Sequence, residues 1–188
     1  MAQGRLKELT VETMTPEQRR VADAIQTGPR GAGLRGPFNA LLRSPELADA
    51  VQKVGEYVRF KSSIPPRLNE LAIIIAGRRW TAQYEFYAHR RLALQAGLKA
   101  EIADAVAEGR RPSGMDADET NVYEFATELL NAGQVSDTTY QRTLTRFGER
   151  GVIDLVGAAG YYSLVSLVLN VAQVPLPAGE DPPLKVLK

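Results

Sequence analysis

The chain reads as an all-α protein, one helical bundle in a single domain, for three reasons. Helix-start signals recur, with Thr15-Pro16 and Ser44-Pro45 each setting a capping residue before proline at the first helical position. Strand-like alternation of polar and apolar residues is almost absent, even in the most apolar segments. The size and composition, 188 residues with 44% hydrophobic and 24% charged, suit one globular core that needs no staples.

Taken in order, the first helix opens at Pro16 and is closed by Gly28. TGPRGAGLRGPF (27–38) is a glycine-rich loop. It has the composition of a phosphate loop, but lacks the Lys-Ser/Thr ending and a preceding strand. Ser44-Pro45-Glu46 starts a helix to about Phe60, with Leu47, Val51, Val54 and Val58 on one stripe. SSIPP (62–66) breaks it. From Arg67 to about Trp80 runs a helix whose middle, LAIIIA (71–76), is apolar on all sides and therefore buried. The Ile run alone would also suit a strand. Helix is preferred because the capped stretch is long and holds no turn signal.

Thr81 is the expected cap of the next helix, 82–96, which Gly97 ends. Helices follow at about 100–108, 118–131, 137–147 and 149–173. The domain is thus expected over 1–174. Residues 175–188, PLPAGEDPPLKVLK, form a proline-rich extended tail, an arm that could lie on a neighbouring subunit.

Several classes of function are excluded or disfavoured by composition. A net charge of +1, from 23 basic and 22 acidic side chains, gives no electrostatic case for nucleic acid or anionic membrane as partner. Cysteine is absent, which removes disulfides, thiolate metal sites and thiol peroxidase chemistry. The first fifteen residues lack the apolar core of a secretory signal. The run 151–172 is long enough to span a bilayer, yet Asp154, Tyr161, Tyr162, Ser163, Ser166 and Asn170 interrupt it. It reads as a buried helix of a cytoplasmic protein.

Three ionisable residues stand out. Glu70 sits at the mouth of the most apolar helix, where desolvation would raise its pKa toward neutrality and fit it for proton transfer. A salt bridge to Arg67 is the structural alternative. Glu85 and His89, the only histidine, are one turn apart on one helix face shared with Ala82, Phe86 and Ala93. A carboxylate there would fix the imidazole tautomer and raise its pKa. The same spacing also occurs in ordinary solvated ion pairs. Catalytic metal sites are usually richer in histidine, so no metal is expected. Of the nearby arginines, Arg59 and Arg79 are candidates to hold a substrate carboxylate.

ELAIIIAGRRWTAQYEFYAHRRLALQAGL (70–98), with GPFNALLRSPELA (36–48) before it and DLVGAAGYYSLVSLVLNVAQVPLP (154–177) behind, resembles the carboxymuconolactone decarboxylase family. That group includes the alkylhydroperoxidase D-like proteins. The resemblance covers roughly residues 35–177. It implies an all-helical fold assembled as homotrimers or homohexamers, with sites near subunit contacts.

The peroxidase branch of that family uses a Glu, a Cys-x-x-Cys pair and a His. Glu70 and His89 match the first and last, but Ala82 and Glu85 stand at the cysteine positions. An antioxidant, peroxiredoxin-like activity by that route is therefore closed to this chain. The decarboxylase branch is similar to a Glu-x3-His pattern, matched by Glu85 and His89.

The resemblance implies a cofactor-free lyase, or a related acid/base enzyme, acting on a small carboxylated lactone or ring compound. His89 would be the proton donor, Glu85 its orienting partner and Glu70 a second acid/base. Tyr84 and Trp80 would line the pocket. A non-catalytic binding protein on the same scaffold is the remaining expectation.

Overall fold

Glycine and proline punctuate the chain where helices stop and start, and the computed structural model follows that punctuation over residues 4–29, 31, 33–34 and 36–186. Positions 30, 32 and 35 of the glycine-rich loop and 187–188 of the tail lie outside the described residues. Among those described there are eight helices and no strand. They are α1 (Pro16–Thr27), α2 (Pro37–Leu41), α3 (Pro45–Phe60), α4 (Pro66–Arg79), α5 (Gln83–Gln95), α6 (Ala100–Ala107), α7 (Ala117–Ala132) and α8 (Asp137–Ala172).

Two helix starts carry a complete capping box. The Thr15 side chain accepts from the Gln18 amide while the Gln18 side chain accepts from the Thr15 amide, and Asp116 with Glu119 repeats the arrangement at α7. Ser44 departs from expectation, because α3 begins at Pro45 without a side-chain cap bond. The five-residue α2, placed by sequence in a loop and its flank, is too short to show a periodic pattern.

Helix α4 lies at the centre and packs against α5, α6, α7 and α8. Leu68, Leu71, Ala72, Ile73, Ile74 and Ala76 are fully enclosed, as an all-round apolar segment requires. Each such large side chain contributes about 1.5–3 kcal/mol by leaving water. The turn from α4 to α5 is tight. Ala82 N–H donates to Gly77 O at 2.9 Å and Thr81 N–H to Arg78 O at 3.0 Å, the bonding pattern of a Schellman motif. Thr81 occupies its left-handed position with φ of 49°, so it closes α4 and does not cap α5. Ala82 precedes α5 instead, without a side-chain bond. At this turn Gly77 packs against the start of α5, where a Cβ would sit 3.4 Å from the Phe86 nitrogen, a contact of ordinary van der Waals length.

Within the span α8 the two C-terminal helices expected from sequence meet at Gly148, whose φ of 69° and ψ of 176° are non-helical and break the run where the sequence placed the boundary. Helix α8 is long and apolar enough to cross a membrane, but 56% of that apolar stretch is buried inside the bundle. Asp154 explains part of its placement. Its carboxylate accepts from Ser63 N–H (2.6 Å), Ser63 Oγ (2.7 Å) and Tyr57 Oη (2.8 Å), fastening α8 to the break between α3 and α4. Burial opposes the charge of Asp154, yet these donors and Arg150 hold its pKa below the usual aspartate value.

The tail folds back on its own chain. Leu184 is buried in the core, and the Gln83 amide grips both its backbone groups, accepting from Leu184 N–H at 3.0 Å and donating to its carbonyl at 2.8 Å.

Candidate active site

Helices α4 and α5 run back to back from their three-residue turn, and this pairing carries Glu70 to His89. His89 Nδ1–H donates to Glu70 Oε2 at 2.7 Å. On the other side of the ring, Nε2 lies 3.1 Å from Glu85 Oε1, one turn away on α5. That second contact is a close approach of opposite charges outside hydrogen-bond geometry, because Glu85 Oε1 lacks a hydrogen-bond partner. The cluster is water-poor: His89 is 7% exposed and Glu85 3%. Glu70 is not the partner of Arg67. Arg67 instead reaches Glu119 and, at 2.9 Å, Asp116.

Burial of the imidazole works against its charged form, but Glu70 and then Glu85 outweigh it and raise the His89 pKa to about 9. His89 is therefore an imidazolium at neutral pH, bonded to one carboxylate and faced by another. Both ring nitrogens point at carboxylates, leaving no ring lone pair free for a metal. Among the described residues, no group of three or more His, Asp or Glu is arranged to hold one.

Tyr162 completes the wall of the cluster. Its ring meets the imidazole edge-on, with centroids 4.7 Å apart, and meets Tyr161 in the same way at 4.9 Å. The Tyr162 hydroxyl is buried without a hydrogen-bond partner. Burial, then Glu85 and Glu70, push its pKa well above the ordinary phenol value, so it stays neutral. Sequence reasoning left Tyr162 out of the site. It sits on α8, and no local spacing relates α8 to α5.

The other candidates are dispersed. Arg59, at the end of α3, is near enough to favour the ionised form of Tyr162, and its guanidinium lies 5.1 Å from the Phe60 ring. Trp80 belongs to the α4–α8 seam, donating from Nε1 to Ser163 Oγ at 2.8 Å while its carbonyl accepts from Asn170 at 2.7 Å. Tyr84 lines a separate hollow of about 870 Å³ between the N-terminal segment, α2 and residues 174–177. Arg79 lines another, of about 440 Å³. Neither of these hollows, nor one of about 460 Å³ beside the N-terminal segment, is lined by Glu70, Glu85 or His89.

Chemically, the arrangement is an acid in its loaded form. The two carboxylates stabilise the protonated ring, so the cluster can hold one transferable proton in a water-poor setting. Compared with profiles of known protein families and with sequences of characterised proteins, the chain matches none.

Proposed function

We propose that the protein is a cofactor-free acid/base enzyme, a decarboxylase of small carboxylated lactones or ring compounds similar to carboxymuconolactone decarboxylase. The observation that carries this reading is the buried imidazolium of His89 between Glu70 and Glu85. Loss of CO2 from a γ-carboxy lactone leaves an electron pair that the unsaturated ring delocalises as a dienolate. His89 then supplies the one proton that carbon needs, and the neutral imidazole is reprotonated from solvent. Arg59 is the arginine proposed to hold a substrate carboxylate, because its charge acts on Tyr162 at the wall of the cluster. A cytoplasmic setting belongs to the same reading.

A homotrimer or homohexamer is part of the proposal. It is supported by an exposed apolar stripe along α8, formed by Ile153, Val156, Leu164, Leu167 and Val171 at helical spacing. Light scattering of the purified chain tests this; a monomer at micromolar concentration would remove it.

For the activity, γ-carboxymuconolactone is the probe and His89→Gln the variant. Turnover should fall at least about 100-fold, with helical content unchanged by circular dichroism. Equal turnover in the variant would end the assignment.

A second reading, a binding protein with a purely structural Glu–His–Glu cluster, is favoured by one observation. None of the three hollows described above touches that cluster. It predicts no turnover by the wild type and a loss of stability, not of chemistry, in His89→Gln.

A further inference from the structure

The ends of α4, α6 and α7 converge on the hollow of about 440 Å³, and they bring three arginines, Arg78, Arg79 and Arg110, to its wall. Arg78 is 7% exposed, and its partners are all neutral oxygens. Nη1 donates to the carbonyls of Lys185 (2.8 Å) and Ala107 (3.3 Å), and Nη2 to Thr81 Oγ1 (3.3 Å). Its Nε has no partner, and neither has the buried hydroxyl of Thr127, which lines the same hollow. Arg79 donates from Nε to Leu130 O at 3.1 Å. Only Arg110 has a carboxylate, Glu108, in a pair more than half exposed on both sides and so largely screened.

Capping helix C-termini is the simplest role for these arginines, and its magnitude can be weighed. A helix end offers about half a negative charge. Three ends therefore offset about half of the three guanidinium charges, and Glu108 offsets a further share of the charge on Arg110. The hollow keeps a positive surplus beside apolar wall from Ile75, Val106 and Leu130. It also lies apart from His89: Arg78 is roughly 12 Å further along α4 than Glu70, at 1.5 Å per residue.

We propose that this hollow is a binding site for a small organic anion, a carboxylate carried on an apolar ring or short chain. Its volume falls within the range of small-molecule pockets. The guanidiniums match a carboxylate, the Thr127 hydroxyl offers a further polar contact, and the aliphatic wall takes the body of the ligand. The assignment stands apart from the acid/base chemistry and holds whether or not His89 is catalytic.

Benzoate is the probe, titrated into the full chain and followed by methyl and amide NMR. Saturable shifts at millimolar concentration should centre on Ile75, Leu130 and Thr127. Benzyl alcohol, which keeps the ring and lacks the charge, should bind at least tenfold more weakly, and so should inorganic phosphate, which lacks the ring. Arg110→Gln and Thr127→Val, both outside the fully buried core, should each weaken benzoate about fivefold while circular dichroism stays unchanged. The site is overturned by shifts that do not saturate, that centre on His89, or that survive Arg110→Gln at full affinity. Equal binding of benzyl alcohol or phosphate overturns the ligand class.

Discussion

Glu70 Oε2 accepts a 2.7 Å hydrogen bond from His89 Nδ1, joining the N-terminal part of α4 to the middle of α5. This bond makes the pH dependence of folding specific. The His89 pKa is raised in the folded state, from 6.5 to about 9. Its stabilisation is then fully present below 6.5 and lost as pH rises through about 9. Denaturant unfolding at pH 6 and pH 10 should differ by on the order of 2–3 kcal/mol, with the alkaline protein weaker. Glu70→Gln should bring the imidazole titration, followed by its carbon-bound protons in NMR, down by at least about one unit.

Asp154 titrates with the opposite sign. Its folded pKa is depressed, so the stabilisation is present above 3.8 and is lost as pH falls through the lower folded value. Replacing it by Ala leaves the Ser63 and Tyr57 donors without their acceptor. Asp154→Ala should cost about 2–4 kcal/mol in urea unfolding, and acid should destabilise the variant less than the wild type.

Tyr162→Phe should behave unlike most core substitutions. The hydroxyl it removes is buried and has no hydrogen-bond partner. Stability should therefore stay level or rise by up to about 1 kcal/mol, read as an unchanged or higher Tm. A Tm several degrees lower would mean that the hydroxyl is satisfied in solution, by a bound water for instance.

Thr81 is a β-branched residue at φ of 49°, a conformation that glycine adopts freely. Thr81→Gly relieves that strain and loses only the long 3.3 Å contact from Arg78. Calorimetry should show a gain of about 0.5–1 kcal/mol. A loss would show that the Arg78 contact outweighs the backbone.

What the sequence made legible was local. The caps at Thr15, the proline break at 62–66 and the all-round apolar character of 71–76 each depend on residues within one or two turns, and each appears in the structure. The Glu85–His89 face follows from the helical period alone. Contact between Glu70 and His89 needs two consecutive helices packed antiparallel, and a short turn makes that the natural outcome. Tyr162, and the grip of Asp154 on Ser63, depend on how α8 returns across the bundle, for which no spacing rule exists. Thr81 was misread because a hydroxyl before a helix is usually a cap. Here Thr81 takes the left-handed position of the Schellman hydrogen bonds that close α4 instead.

An imidazole bonded at Nδ1 and faced by a carboxylate at Nε2 has a single rotational setting, since turning the ring would break the first interaction and misdirect the second. Each of its two N–H bonds therefore points along one fixed direction, Nδ1–H to Glu70 and Nε2–H toward Glu85. A flat carbanion lying against it would be approached from one face only, and in heavy water the label would enter with a single handedness.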